Sequence, residues 1–191
     1  VTWYGKSKQR AEELVRKECG KNWTIIRPCP IYGPGDKDFL ALARLIGKGL
    51  NIRIGSRDKA VNMIFIDELA NLIELCFANK KAYGEVFFAT DGISYTQGEI
   101  TDLMAQAIGR KAYAVTIPDA AAKLIFSLGE LIGRVSGRPL VINKQKQNEI
   151  MAEGWLCSIN KAQNLLGFNP EADLKAHIEE TISWYKESSW L

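Results

Sequence analysis

Short runs of β-branched and aromatic residues alternate along this chain with amphipathic helical patterns, and this alternation constrains the fold more than any other feature. The segment WTIIRP, residues 23–28, reads as a short strand closed by Pro28. The segment GEVFFAT, residues 84–90, is a continuous apolar run of the kind expected for a strand buried on both faces. Between them, apolar residues recur at helical spacing after Asp67, which we expect to cap a helix. The alternation predicts an α/β fold.

The same reading places the remaining elements. A helix should run from about Tyr4 to Cys19, and Asp38 could cap a second helix. Thr96 and Glu99 form a capping box at the start of another. Strands are expected in the segments NIRIG, VNMIFI and YAVTIP, and further helices at about 119–135, 144–153, 160–165 and 172–186. These later helices and short strands predict a smaller, mostly helical lobe after the α/β part.

Composition and charge exclude several classes of function. The 191 residues are 47% hydrophobic and 25% charged, which is typical of a soluble globular domain. The net charge is only +3 and basic residues are mixed with acidic ones, so no nucleic-acid partner is expected. No signal peptide is expected, and the longest apolar stretch, residues 120–133, is too short and too charged to span a membrane. We therefore expect a cytoplasmic protein.

The sequence offers little support for metal-dependent or thiol-dependent chemistry. His177 is the only histidine, which argues against multi-histidine metal sites, and no metal site is expected. The four cysteines, Cys19, Cys29, Cys76 and Cys157, lie far apart and form no C-x-x-C motif. We expect them to be reduced and mostly buried.

Tyr4 and Lys8 are the first candidates for chemistry. They are one helical turn apart, so their side chains should share a face of the helix. An ammonium group about 4 Å from a phenol in partly excluded solvent favours the phenolate by up to about 4 kcal/mol. The tyrosine would then become a useful proton donor and acceptor for an alcohol or carbonyl. The pair by itself is weak evidence, because a tyrosine packed beside a lysine is more often structural.

Four ordered blocks give these residues a context. The chain carries YGKSKQRAEELV, WTIIRPCPIYGPGDKDF, IFIDELANLI and SINKAQNLLGFNPEADLKAHIEETISWYKE in this order. Together they resemble the extended short-chain dehydrogenases/reductases, a group that includes NAD-dependent epimerases/dehydratases and 3β-hydroxysteroid dehydrogenases. The resemblance covers nearly the whole chain. It implies the C-terminal part of a Rossmann-type parallel sheet together with a smaller, mostly helical substrate lobe.

The resemblance also implies roles for individual residues. It makes Tyr4 the catalytic acid/base, and it makes Lys8 the residue that lowers the pKa of Tyr4 and hydrogen-bonds the nicotinamide ribose. Residues 27–35 would border the nicotinamide and the substrate. The implied site residues in and beyond this loop are Pro28, Cys29 and Ile31 for the cofactor and Pro30, Tyr32 and Arg57 for the substrate.

The part of the family that binds the pyrophosphate has no counterpart here. Its glycine-rich turn precedes the catalytic tyrosine, whereas this chain starts at Val1, three residues before Tyr4. The pair Gly47-x-Gly49 follows a helix and lacks a third glycine, so it is not a substitute. We expect residues 1–191 to be the C-terminal half of a larger enzyme that binds NAD or NADP when whole. The fragment alone should neither bind the cofactor tightly nor turn over substrate.

Two departures from the family pattern concern the substrate. Nucleotide-sugar enzymes of this group usually carry Asn at the position of Pro30, and an Arg-Asp pair at the position of Val61-Asn62. Both losses favour a less polar alcohol or ketone over a nucleotide sugar, which stays the alternative. Arg57, Lys59 or Arg138 could meet phosphates or be solvated loop charges.

A series of glycines after residue 128 also has two readings. Gly129, Gly133 and Gly137 recur every four residues on one side of a helix. They favour either close helix packing or an opening beside an apolar substrate, with Leu124, Phe126 and Leu128 nearby.

Two functions of different class remain at this stage. The first is an NAD(P)-dependent oxidoreductase or epimerase that acts on a small molecule. The second is a non-catalytic NAD(P)-sensing module of the same fold, against which the retained Tyr4 and Lys8 argue. Family members commonly dimerise through the helix that carries the tyrosine, so a homodimer of the whole protein is expected.

Overall fold

The computed structural model describes residues 2–55, 59–77, 79–136, 147 and 156–191. The helices are α1 (Trp3–Glu18), α2 (Lys37–Gly47), α3 (Ile66–Cys76), α4 (Gln97–Ile108), α5 (Asp119–Ser136), α6 (Asn160–Leu166) and α7 (Leu174–Glu187), with a short 3-10 helix at Lys80–Ala82. The strands are β1 (Thr24–Pro28), β2 (Ile31–Tyr32), β3 (Leu50–Ile54), β4 (Ala60–Val61), β5 (Ile64–Phe65), β6 (Glu85–Ala89), β7 (Tyr95–Thr96) and β8 (Tyr113–Ile117). The helix expected over 144–153 lies outside the described residues.

Parallel pairing dominates the described strands. β1 pairs with β6, β2 with β5 and β3 with β8 in parallel, whereas β4 and β7 are antiparallel. Parallel neighbours need a long crossover connection, and α2 and α3 lie in the sequence between β1 and β6. The predicted α/β class is therefore confirmed. The segment VNMIFI, expected to be one strand, is divided between β4 and β5.

The start of α2 corrects one expected cap. The Asp36 carboxylate accepts hydrogen bonds from the backbone nitrogens of Asp38 and Phe39, each at 3.0 Å. Asp38 therefore lies inside the first turn, and the prediction that it caps the helix is wrong. Asp36 has the extended backbone that an N-cap needs, which a sequence with two candidate aspartates does not reveal.

The starts of α3 and α4 correct one expectation and confirm another. Phe65 is the N-cap of α3 and makes no capping bond through its side chain, so Asp67 is a first-turn residue rather than the predicted cap. Its carboxylate still favours the positive end of the helix dipole. The Thr96–Glu99 capping box is present at the start of α4, with Glu99 N bonded to Thr96 Oγ1 at 3.2 Å.

Strand β6 is fully buried on one face and partly exposed on the other, whereas the sequence predicted burial on both. Phe87 and Ala89 are fully buried, while Phe88 between them is 40% exposed. Successive side chains of a strand point to opposite faces, so Phe88 belongs to the other side of the sheet. There the Arg27 guanidinium lies 5.7 Å from the centre of the Phe88 ring.

Two hydrophobic clusters stabilise the described part of the chain. One packs α2, α4 and α7 around β2 and β5, and it includes Tyr32, Phe39, Phe65, Met104, Ile178 and Tyr185. The other packs α3 and α6 on β6, and it includes Leu72, Phe87, Ala89, Leu166 and Phe168. How these clusters divide between a sheet domain and a substrate lobe stays a prediction.

None of the helices in the described part of the chain combines the length and the apolar character needed to cross a membrane.

Candidate active site

The first turn of α1 places Tyr4 and Lys8 side by side. The Thr2 hydroxyl caps the helix by accepting a hydrogen bond from Gly5 N at 3.1 Å. One turn further on, the Lys8 ammonium nitrogen lies 5.5 Å from the centre of the Tyr4 ring. Tyr4 is 67% exposed. The two residues that sequence reasoning assigned to catalysis therefore lie together on an open surface.

An ion pair fastens α1 to the carboxyl end of β1. The Arg27 guanidinium donates two hydrogen bonds to the Glu12 carboxylate, at 2.8 and 2.6 Å. Hydrogen bonding and the charge of Arg27 lower the pKa of Glu12, and the same bond raises the pKa of Arg27. From Glu12 the helix continues about 12 Å to Tyr4, because each residue rises about 1.5 Å. Tyr4 therefore extends past the end of β1.

The loop from Pro28 to Gly35 alternates between the surface and the core. Pro28, Pro30 and Ile31 are exposed, whereas Cys29 and Tyr32 are buried. Backbone bonds hold the loop, from Cys29 N to the Ala89 carbonyl at 2.9 Å and from Ile64 N to the Pro30 carbonyl at 3.1 Å. The exposed members form an apolar surface between the carboxyl end of β1 and the start of β2.

Tyr32 belongs to a buried polar group rather than to this surface. It is only 1% exposed, and its hydroxyl lies 3.3 Å from His177 Nδ1. The His177 ring stacks on Phe65, with ring centres 4.1 Å apart. Burial, with the charges of Asp91 and Asp173, raises the pKa of Tyr32. The Tyr32 side chain points into the core in this structure. Its contact with substrate stays a prediction.

Asp91 and Tyr95 complete this buried group. The Tyr95 hydroxyl donates to Asp91 Oδ2 at 2.6 Å, and Ile93 N donates to Asp91 Oδ1 at 2.9 Å. Burial raises the pKa of both Asp91 and Tyr95, and the Tyr95 bond partly opposes the shift at Asp91. Sequence reasoning did not connect Asp91, Tyr95 or His177 with Tyr32. His177 alone is 145 residues from Tyr32, and no local pattern joins the group.

Cys29 and Cys157 also meet at this end of the sheet. Burial, followed by interaction with the Cys157 thiol, raises the pKa of Cys29 to about 12. Cys157 is held there because its backbone nitrogen donates to Asn62 Oδ1 at 2.6 Å. All four cysteines are free; Cys29 and Cys76 are buried, Cys157 is half-buried and Cys19 is exposed. Cys19 is thus the exposed exception among thiols that were expected to be mostly buried.

The remaining candidates from the sequence are three basic residues, of which the structure describes one. Arg57, predicted to contact substrate, and Arg138 lie outside the described residues. Lys59 is described and half-buried. Across residues 2–55, 59–77, 79–136, 147 and 156–191, no cluster of three or more His, Cys, Asp or Glu side chains could hold a metal ion.

The exposed residues fit one end of a dinucleotide. Ligands of parallel α/β sheets bind outside the carboxyl ends of the strands. There Pro28 and Ile31 offer apolar surface for a nicotinamide ring, and Tyr4 and Lys8 offer a hydroxyl and an ammonium group for its ribose. The pyrophosphate requires a glycine-rich strand-to-helix turn, whereas Gly47 ends helix α2. These residues therefore fit the nicotinamide end only.

The fold and this surface define a Rossmann-type α/β protein, and comparison with known proteins makes the class more specific. No protein-family model matches the chain. Over 97% of its length it is 26% identical to 54% of the UDP-glucose 4-epimerase of Vibrio cholerae. Over 98% of its length the chain is 27% identical to the ceramide reductase of Caulobacter vibrioides, of which the match covers 58%. It is also 32% identical, over 69% of its length, to 40% of the 4-hydroxy-2-methyl-3-oxo-4-farnesyl-3,4-dihydroquinoline-1-oxide ketoreductase of Stigmatella aurantiaca.

Solved structures show the same fold. The UDP-glucuronic acid 4-epimerase of Bacillus cereus, in complex with UDP-glucuronic acid and NAD, matches 97% of the chain with 52% of its own, at a TM-score of 0.70 and 19% identity. RMD from Pseudomonas aeruginosa, complexed with NADPH, matches 96% of the chain with 56% of its own, at a TM-score of 0.67 and 18% identity. The predicted Rossmann-type fold is confirmed.

The chain is a short-chain dehydrogenase/reductase-like polypeptide of the NAD-dependent epimerase/dehydratase type. It spans about half the length of the curated relatives it matches. The resemblance drawn from its four sequence blocks is confirmed, including its restriction to part of such an enzyme.

Proposed function

We propose that the whole protein to which this chain belongs is an NAD(P)-dependent oxidoreductase or epimerase that acts on an apolar alcohol or ketone. The observation that supports this most is the Lys8 ammonium nitrogen 5.5 Å from the Tyr4 ring centre, on a helix fastened to the carboxyl end of β1. The relatives named above are epimerases and reductases, which agrees with this chemistry.

Each residue has a defined part in the proposal. When bound, the nicotinamide supplies or accepts a hydride at a substrate carbon. The Tyr4 hydroxyl gives a proton to the substrate oxygen during reduction, or takes it during oxidation. Lys8 carries its positive charge beside the Tyr4 ring and hydrogen-bonds the ribose. Pro28, Cys29 and Ile31 border the nicotinamide, while Pro30, Tyr32 and Arg57 border the substrate.

The substrate class follows from groups that are missing or already bonded. Pro30 has no amide hydrogen to offer a sugar nucleotide. Asn62, at the position of a family Arg-Asp pair, is 2% exposed and bonds the Ile93 carbonyl at 2.6 Å and the Cys157 nitrogen. The names of the ceramide reductase and of the farnesyl-dihydroquinoline ketoreductase agree with a lipid-type substrate. The likeness to UDP-glucose 4-epimerase favours a nucleotide sugar as the second candidate.

The proposal also includes the cofactor, the cellular location and the partners of the enzyme. We expect NAD or NADP as cofactor, a cytoplasmic location, no nucleic-acid partner, and a homodimer of the whole protein. The homodimer is supported by α1, in which no residue is buried and Trp3, Tyr4 and Leu14 are exposed.

The test compares two neighbouring pairs on α1 in the full-length enzyme. Tyr4→Phe should lower kcat at least about a hundredfold without loss of folding, because a phenyl ring cannot transfer a proton. Lys8→Met should lower kcat, because the nicotinamide ribose loses a hydrogen-bond donor. The matched controls are Trp3→Phe and Lys6→Met, since the Lys6 nitrogen lies 4.8 Å from the Trp3 ring. A loss below about threefold for Tyr4→Phe removes this residue from catalysis.

A second measurement concerns the 191-residue chain alone. We expect calorimetry to detect no tight NAD or NADP binding by it, because the pyrophosphate site is not in this sequence. Micromolar affinity for the isolated chain would contradict this part of the proposal.

A further inference from the structure

Two cysteines from distant parts of the sequence lie beside one short stretch of chain, from Asn62 to the start of β5 at Ile64. The Pro30 carbonyl accepts a hydrogen bond from Ile64 N at 3.1 Å, which holds the preceding residue, Cys29, close to this stretch. Cys157 N donates to Asn62 Oδ1 at 2.6 Å. Two residues of extended chain span only about 7 Å. These bonds therefore bring Cys29 and Cys157 to the same place.

Strand β6 fixes Cys29 a second time, and the thiol of Cys29 faces that of Cys157. Cys29 N donates to the Ala89 carbonyl at 2.9 Å, and the hydroxyl of the next residue, Thr90, donates to the Met63 carbonyl at 3.1 Å. The Cys157 thiol lies within hydrogen-bonding reach of the Cys29 thiol. Cys29 is 7% exposed and Cys157 is half-buried, and both are free thiols. A small oxidant can therefore reach the pair at Cys157, while Cys29 is the shielded partner.

We propose that Cys29 and Cys157 form an oxidation site, at which hydrogen peroxide converts the two thiols to an intramolecular disulfide. In the first step an S–O bond forms at Cys157 Sγ, the O–O bond of the peroxide breaks, and one water leaves, which gives a sulfenic acid. In the second step Cys29 Sγ attacks this sulfur and the S–O bond breaks. The proton of Cys29 leaves with the oxygen as a second water. Two thiols and one peroxide thus give one disulfide and two waters.

The proximity of the two thiols outweighs the weak acidity of Cys29. Burial, followed by the Cys157 thiol, raises the pKa of Cys29 to about 12. At pH 8 about one Cys29 thiol in 10⁴ is then ionised, against about one in four for an ordinary cysteine, and only the thiolate attacks. Well-oriented neighbouring groups reach effective concentrations of about 10⁵ M or more, which exceeds this loss of about two thousandfold. Cys29 therefore reaches the sulfenic acid before any millimolar thiol in solution does.

The experiment maps disulfides in the folded full-length protein after treatment with hydrogen peroxide at pH 8. Catalase removes the peroxide, iodoacetamide in urea blocks the remaining thiols, and trypsin is added without a reductant. Cys29 and Cys157 fall on separate tryptic peptides, residues 22–37 and 147–161. We expect mass spectrometry to find these two peptides joined at least about tenfold more often than any other pair, and separated again by dithiothreitol. Oxidation in urea should erase this preference, because unfolding breaks the bonds that bring the two cysteines together.

Variants of single cysteines test the assignment. Cys157→Ser should abolish this disulfide and leave Cys29 a free thiol, whereas Cys29→Ser should leave Cys157 as a sulfenic or sulfinic acid. The matched control is Cys19→Ser, which removes an exposed thiol and should form the disulfide like the parent. Circular dichroism verifies that the variants fold, and the measurement on the parent requires no variant.

Three results on the parent would overturn the proposal: Cys157 joined mainly to another cysteine, Cys157 converted to a sulfinic acid while Cys29 stays free, or both thiols unchanged by peroxide that oxidises the exposed Cys19. The oxidation site goes beyond the proposed function and stands or falls separately from it, because the disulfide is detected by mass and not by turnover.

Discussion

Replacing Gly33 by alanine should destabilise the fold more than the same replacement at Gly35, two residues further on. Gly33 has φ 145°, and a Cβ there would lie 2.6 Å from Ile66 Cγ2 and 3.2 Å from the Phe65 ring. Gly35 has φ 85°, and a Cβ there would meet nothing within 4 Å. Both positions therefore carry a backbone penalty for alanine, but Gly33 alone of the two adds steric overlap.

The magnitudes follow from these two contributions. An unfavourable backbone conformation costs about 1–3 kcal/mol for a residue with a Cβ. Overpacking against a neighbour costs about another 1–3 kcal/mol. We expect Gly33→Ala to lower the free energy of unfolding by about 2–6 kcal/mol and Gly35→Ala by about 1–3 kcal/mol. Urea unfolding followed by circular dichroism measures both, provided that the slope with urea is unchanged.

A double-mutant cycle isolates the overlap. Ile66→Ala removes the Cγ2 atom that a new Cβ at residue 33 would strike, so Gly33→Ala should cost less in that background than in the parent. Equal losses of stability at Gly33 and Gly35, or no coupling between Gly33→Ala and Ile66→Ala, would refute the steric reasoning.

Three further predictions follow from the pKa shifts and bonds near the site. Burial and the Cys157 thiol raise the pKa of Cys29 to about 12. Near pH 8, Cys29 of the folded protein should therefore react with iodoacetamide at least about a hundredfold more slowly than Cys29 of the urea-unfolded protein, as measured by mass spectrometry. Hydrogen bonding with Arg27 lowers the pKa of Glu12. The Glu12 carboxylate therefore stabilises the fold fully at a pH above its ordinary pKa of 4.5, and this stabilisation is lost as the pH falls through the lowered pKa. Glu12→Gln should therefore remove up to about 1 kcal/mol at neutral pH and progressively less in acid, by urea unfolding. Tyr95→Phe should cost about 1–3 kcal/mol in the same assay, because buried Asp91 loses a donor.

Each of these predictions has a control within the chain. Cys19 is exposed and should be labelled readily in the folded protein, and equal rates at Cys19 and Cys29 would contradict the first prediction. Glu13 pairs with Arg10 on the surface, so Glu13→Gln should change stability less than Glu12→Gln does. Tyr83 is 43% exposed, and a Tyr83→Phe loss as large as that of Tyr95→Phe would argue against the buried bond.

The features that could be predicted from the sequence are local ones. The shared helix face of Tyr4 and Lys8 follows from the helical repeat, which depends only on backbone geometry. The Thr96–Glu99 capping box was predictable for the same reason, since both partners lie within one turn. The order of strands and helices, and with it the α/β class, also follows from patterns within short windows.

Where two local solutions compete, the sequence could not choose between them. Asp36 and Asp38 are both good N-cap residues, and the backbone of the preceding loop selected Asp36. Phe87 and Phe88 are equally apolar, yet Phe87 is buried in the cluster with α3 and α6, whereas Phe88 is 40% exposed. A strand buried on one face and a strand buried on two can have the same composition.

The sequence by itself therefore determined the element types, the α/β class, the pairing of Tyr4 with Lys8 on one helix face and the likeness to short-chain dehydrogenases/reductases. Tertiary structure alone decided that Arg27 bonds Glu12, that Tyr32 faces His177 and that Cys29 meets Cys157. The physical reason is that helix and strand periodicity depends on neighbouring residues, whereas these contacts depend on which distant elements pack together.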